Sequence, residues 1–176
     1  MKKLALVLVI ITILTGCPSP QPPQPPEPNV TTTIDEQGKL LTAAISTGCT
    51  MSKTYTAINS YYPMLKPFIP ANIPIVQILN TFHSALNLYN AAIITWADTK
   101  SQPKDFAQLQ ENLINLNNQL VPIIQQILDA ARKSKDAGAV QAANNIDEVN
   151  MKGVFSCTIE EFKLVAETVK GLPVLS

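Results

Sequence analysis

Three cysteines, a single histidine and the carboxylate pair Glu160-Glu161 are where covalent, redox or proton-transfer chemistry would first be sought in this chain. Cys17 has the most specific setting. It closes Leu14-Thr15-Gly16-Cys17, the lipobox order of an aliphatic residue, a small or β-branched one, a small one and cysteine. Such a motif presents a thiol at a membrane surface for diacylglycerol transfer, and small residues let the peptidase cut before the cysteine. Lys2 and Lys3 supply a positive start, and Leu4 to Leu14 an apolar run too short for a permanent membrane helix. Residues 1–16 are therefore expected to be a lipoprotein signal peptide and Cys17 the lipidated residue. Two or more acyl chains, each buried methylene contributing roughly 0.8 kcal/mol, hold a protein stably at a bilayer.

Cys49 and Cys157 remain, and an even pair in an exported chain implies a disulfide. With a sequence separation of 157 − 49 = 108, loop closure contributes on the order of 4.7 kcal/mol. The redox alternative has little support. There is no Cys-x-x-Cys, and Cys49 has no nearby helix start to lower a thiol pKa.

His83 is the only histidine, so no two-histidine metal site can form. It falls beside an apolar seam through Phe82, with Leu79 and Asn87 a turn to either side, and is expected at the boundary of the core. Ser84 is its sequence neighbour, but adjacent helical residues diverge and cannot share a proton. Glu161 stands three residues after Thr158, the spacing of a helix-capping box, and the glycines are too scattered for a phosphate loop. No catalytic residue, metal site or cofactor is expected, and the chain does not read as an enzyme.

The elements that would carry these residues are helices. Ile75, Ile78/Leu79, Phe82, Ala85/Leu86, Tyr89, Ala92/Ile93 and Trp96 form one seam, over about 74–98. Phe106, Leu109, Leu113, Leu116, Leu120, Ile123, Ile127 and Ala130 form another, with Pro103 expected in its first turn and Pro122 expected to kink it. The short connection makes the two antiparallel neighbours. A helix over about 35–60 has a seam of Leu41, Ile45, Gly48, Ser52 and Tyr55, diluted by small residues. The last helix starts at Thr158 and ends at Gly171, and a short flanking helix is expected over 137–149. The fold expected is all-α: an antiparallel bundle of about four main helices plus that flanking helix, occupying residues 34–176. It stands behind the signal peptide and a stalk of residues 17–33. Seven of the chain's fourteen prolines lie in residues 18–28 of that stalk, a polyproline II spacer of roughly 34 Å.

Removing Lys2 and Lys3 leaves eleven basic against thirteen acidic side chains, with no like-charge block. Nucleic acid is therefore not an expected partner. Much of the polar surface is amide, thirteen Asn and eleven Gln. A monomer is expected.

The segment Tyr61 to Pro74 carries four prolines three to four residues apart among large apolar side chains. It reads as an irregular connection lying against something apolar, either the bundle's own end or a partner. Tyr61, Tyr62, Met64 and Phe68 are the candidate partner-binding residues, since Tyr, Met and Phe are enriched at interfaces. Phe68 and Ile69 are expected packed, and Tyr61 and Tyr62 at least partly exposed.

Phe82-His83-Ser84-Ala85-Leu86-Asn87-Leu88-Tyr89, the seam from Leu109 to Ile127, and the lipobox and stalk together resemble small helical lipoproteins encoded in bacterial and prophage genomes. That resemblance implies a phage-linked envelope role such as superinfection exclusion, with an envelope or phage protein as partner, and carries over no catalytic residue. The alternatives are a passive spacer lipoprotein and, with less support, a small-ligand binder or enzyme. The place expected is the cell envelope, on the outer side of the cytoplasmic membrane. Where two membranes exist, Pro18 in place of a retaining Asp points to the outer one, facing the periplasm. Metabolic labelling with a palmitate analogue is expected to mark the wild type and not Cys17→Ala; equal labelling of both would refute the lipid anchor.

Overall fold

A computed structural model describes residues 34–151 and 155–176. The expected signal peptide, Cys17 and the stalk lie outside the described residues. Among the described residues five helices follow in order: α1 Ile34–Leu65, α2 Ile75–Thr99, α3 Phe106–Lys133, α4 Ala137–Met151 and α5 Ile159–Lys170, with a 3-10 turn at Lys66–Phe68. The protein is an all-α helical bundle. Helices α1 to α4 close a ring in which each packs against the next and α4 returns to α1, while α5 lies in the crease between α1 and α2. The helix expected on the flank thus sits in the ring, where Ala139, Ala142, Ala143 and Ile146 are buried. Small side chains let α4 approach closely without large apolar residues.

Of the α2 seam, Ile75, Leu79, Phe82, Leu86, Tyr89, Ala92, Ile93 and Trp96 are buried as the spacing predicts, and Ile78 and Ala85 at its edge are half-buried. The α3 seam departs from its heptad reading. Ala130 is exposed, and the inward residues beyond Pro122 are Ile124, Ile127, Leu128 and Ala131. A straight helix drifts about 20° per heptad from a strict seven-residue repeat, so after three heptads the inward face has turned by about 60°, more than half a residue, toward the following position. Pro103 lies before the helix, its carbonyl accepting from the Phe106 N–H at 3.1 Å. Asp105 is the N-cap, without a side-chain bond. The preceding α2 ends at Lys100 in the left-handed region, φ 58°, with its N–H on the Trp96 carbonyl.

Helix α1 is longer than expected because it runs through Pro63 to Leu65. A proline inside a helix costs about 3 kcal/mol or more. Continuing the helix places Tyr62 and Leu65 on the same inward face as Tyr55 and Ile58, all four buried. Burying two more large side chains returns roughly 1.5–3 kcal/mol each, enough to offset the proline.

At Gly48, α1 closely approaches both α2 and α5. A Cβ there would stand 2.7 Å from Phe162 Cε2, and 3.1 Å from both Asn90 Oδ1 and Ile93 Cδ1. Directly beside it Cys49 and Cys157 come to disulfide-bonding distance, with Cα atoms 6.4 Å apart. One turn on, the buried Ser52 hydroxyl accepts from Asn90 Nδ2 at 2.9 Å. Thr158 caps α5 through the reciprocal box with Glu161, which fixes where that helix starts relative to Cys157.

Gly48→Ala gains up to about 1 kcal/mol of helix propensity but overpacks a ring that is fully buried, at about 1–3 kcal/mol. A net loss of stability is expected in thermal or denaturant melts, and an unchanged or raised melting temperature would contradict the close approach.

Candidate functional site

The end of the bundle that carries residues 61–84 is built by α1, the loop and α2. Pro70 and Pro74 set the loop. The Ile73 N–H reaches the Pro70 carbonyl at 3.0 Å, closing a turn, and the Ile78 N–H reaches the Pro74 carbonyl at 3.1 Å, starting α2. Between this loop and α2 lies an open groove of about 820 Å³. Its walls are mainly apolar, with Tyr62, Ile69, Ile73 and Val76, while Lys66 and Asn80 are polar groups along it.

The four candidate residues do not converge on one patch. Tyr61 is half-buried and its hydroxyl accepts from Asn145 Nδ2 of α4 at 2.8 Å. Tyr62 is buried, against the expectation of exposure, because the helix continues through Pro63 and turns it inward. Burial pushes its phenol above the ordinary value of 10.0. It lines the groove from below. Met64 is 50 % exposed, and Phe68 is half-buried against the core, as is Ile69. Of the four candidate residues, Tyr62 alone is a groove residue.

Residues 172–176 border the same place. Asn80 makes two bonds to the main chain of one residue: Nδ2 donates to the Leu175 carbonyl, and Oδ1 accepts from the Leu175 N–H, both at 3.1 Å. Lys66 Nζ donates to the Ser176 carbonyl at 3.1 Å, and Asn59 Nδ2 to the Pro173 carbonyl at 3.4 Å. Leu172 and Leu175 pack half-buried against the core, whereas Val174 is 70 % exposed. Nothing local in the sequence marks this arrangement. Asn80 and Leu175 are 95 residues apart, and an Asn on the polar side of a helix reads as solvated surface.

His83 is corrected from boundary to core. Its ring is buried, stacks on Tyr55 with centroids 5.1 Å apart, and donates from Nε2 to the Val169 carbonyl at 2.8 Å. The Ser84 hydroxyl donates to the Asn80 carbonyl instead, at 3.0 Å. His83 thus joins α2 to the last turn of α5. The Tyr55 phenol beneath it is pushed up by burial and drawn slightly back by Asn59. Trp96, on the inner seam, packs edge-on to Phe106 at 5.1 Å.

Among the described residues, no group of three or more His, Cys, Asp or Glu side chains is arranged to hold a metal ion. No described helix is long and apolar enough to cross a membrane. Comparison with known proteins finds no matching family model, no similar curated protein and no similar solved structure.

Tyr61 and Tyr62 separate by the roles of their atoms. Tyr61→Phe removes one half-buried hydrogen bond and is expected to cost about 0.5–1.5 kcal/mol, while Tyr62→Ser removes a buried ring and is expected to cost about 3 kcal/mol or more. Denaturant melts of both variants check the order, and equal losses would contradict the inward placing of Tyr62.

Proposed function

We propose that this chain is a membrane-anchored bacterial lipoprotein whose helical domain is a non-catalytic interaction module, with the groove end of the bundle as the recognising surface. The observation that carries the reading is where the groove lies along α1. The proline-rich stalk precedes Ile34, and the groove begins at Tyr62 near the other end of a 32-residue helix. At 1.5 Å per residue the run from Ile34 to Tyr62 is about 42 Å. A stalk and helix in series would hold an apolar groove well off the lipid, where an envelope or phage protein can reach it. Buried, satisfied His83 and the capping role of Glu161 leave little for an enzyme to use, which favours binding over catalysis. Superinfection exclusion, implied by the resemblance to prophage-encoded lipoproteins, is one form such a module takes.

A photo-crosslinking residue at Gln77, on the groove, is expected to yield a discrete protein adduct in intact cells. One at Glu111, on the exposed face of α3, is not, and Ile73→Asp is expected to remove the Gln77 adduct. No adduct from either position would favour the passive spacer.

A further inference from the structure

Among the described residues four polar side chains are buried: Ser52, Asn59, His83 and Asn90. All four lie along one seam, where α5 and the residues after it cover the crease between α1 and α2. Val169 of α5 takes the His83 hydrogen bond, and Pro173 beyond it takes that of Asn59. Asn90 Oδ1 and the Phe162 ring both border Gly48, and Asn90 Nδ2 donates to Ser52. The other interfaces differ. Trp96 packs on Phe106 between α2 and α3, and the polar links Arg132–Asp147 and Asn145–Tyr61 are only partly buried.

The seam under α5 is also incompletely satisfied, because Asn90 Oδ1 is buried without a hydrogen-bond partner. Docking α5 takes water from that oxygen and returns no bond, which offsets part of what the burial of Phe162, Ala166 and Val169 gains. A helix of 12 residues is too short to persist by itself in water. Its other noncovalent ties are superficial. The Lys163–Asp98 ion pair is exposed on both sides and adds little, and the bonds of Asn80 and Lys66 to the following segment lie on exposed or partly buried groups. The covalent tie is Cys157, immediately before the Thr158 cap, bonded to Cys49. Cys49 is fully buried, whereas Cys157 is half-buried and so can be approached from outside.

We propose that α5 is a lid over a polar crease between α1 and α2, held shut by the Cys49–Cys157 disulfide and released when a dithiol reductant opens that bond. One thiolate of the reductant attacks Sγ of Cys157, forming a mixed disulfide while Cys49 leaves and takes up a proton. The reductant's second thiolate then attacks its own sulfur in the mixed disulfide and frees Cys157, which is protonated in turn. Two electrons and two protons pass from the dithiol to the cysteine pair, and the reductant ends as a disulfide. The ring of α1 to α4 closes without α5, so it stays folded when the lid lifts. Lifting removes the Val169 carbonyl from His83, and His83 is the only histidine of the chain. The device is independent of whether the groove end binds a partner.

The test follows amide hydrogen exchange and His83 in the full-length chain in mild detergent, oxidised or treated with dithiothreitol, with alkylation of Cys49 and Cys157 read by mass as the measure of reduction. On reduction the α5 amides are expected to exchange about tenfold faster or more, while those of the α2 and α3 seams keep their protection. His83 is expected to become reactive toward diethyl pyrocarbonate only in the reduced protein. Ser52→Ala with Asn90→Leu, which makes the seam apolar, is expected to restore most of the α5 protection in the reduced state. A bond that dithiothreitol leaves intact in the folded protein overturns the proposal, as does an α5 equally protected before and after reduction. Loss of protection in α2, α3 and α5 together would make the disulfide a support of the whole bundle and not the catch of a lid. Fast α5 exchange that persists in the reduced double variant, with its circular dichroism unchanged, would refute the polar seam as the cause.

Discussion

The structure depends on the close approach of α1, α2 and α5 at Gly48. With hydrogen in place of a side chain, the α1 backbone can come within contact of Phe162, Ile93 and Asn90. Everything above and below that crossing takes its register from it. Cys49 follows immediately and meets Cys157, so the covalent tie and the steric close approach fix the same point. From there α5 runs toward the groove end, placing the Val169 carbonyl over His83 and the tail beside Asn80. A shift of α5 by one turn, about 5.4 Å, would separate both pairs.

Polar groups near this crossing act as positioning devices. Asn90 Nδ2 donates to the Ser52 hydroxyl inside the core, while Asn90 Oδ1 has no hydrogen-bond partner, and the pairing is available only at one relative height of α1 and α2. His83 does the same between α2 and α5. Apolar packing alone tolerates sliding, whereas a buried donor left without its acceptor costs about 1–3 kcal/mol. On the other side of the ring, the partly buried Arg132 reaches from the end of α3 to Asp147 of α4 while also bonding Asp129 at 2.8 Å. The alanine-rich face of α4 is thereby held at a defined height.

The groove is a by-product of the prolines. Pro63 is absorbed in the last turn of α1, but Pro67, Pro70 and Pro74 each remove a backbone donor from the connection, so the chain crosses the bundle end in turns. The aliphatic side chains along those turns have only one side of the bundle to pack against. Ile69 and Ile73 consequently stay half-buried, forming a wall with nothing of their own loop opposite.

What the sequence determined by itself were properties carried by neighbours along the chain. The α2 seam, the Thr158–Glu161 capping box, the stop at Gly171 and the all-helical class all follow from spacings within a few turns, where local periodicity fixes which side chains share a face. Pairing Cys49 with Cys157 was legible only by setting Cys17 aside as the expected lipidated residue, since three cysteines otherwise allow three pairings. Tertiary structure decided the rest. Whether Pro63 ends α1 depended on what Tyr62 and Leu65 could gain by turning inward. Whether His83 is surface or core depended on α5 offering a carbonyl. The contact of Asn80 with Leu175 required two segments far apart in sequence to meet. Such contacts are set by the sum of packing over the whole bundle, and no local pattern encodes them.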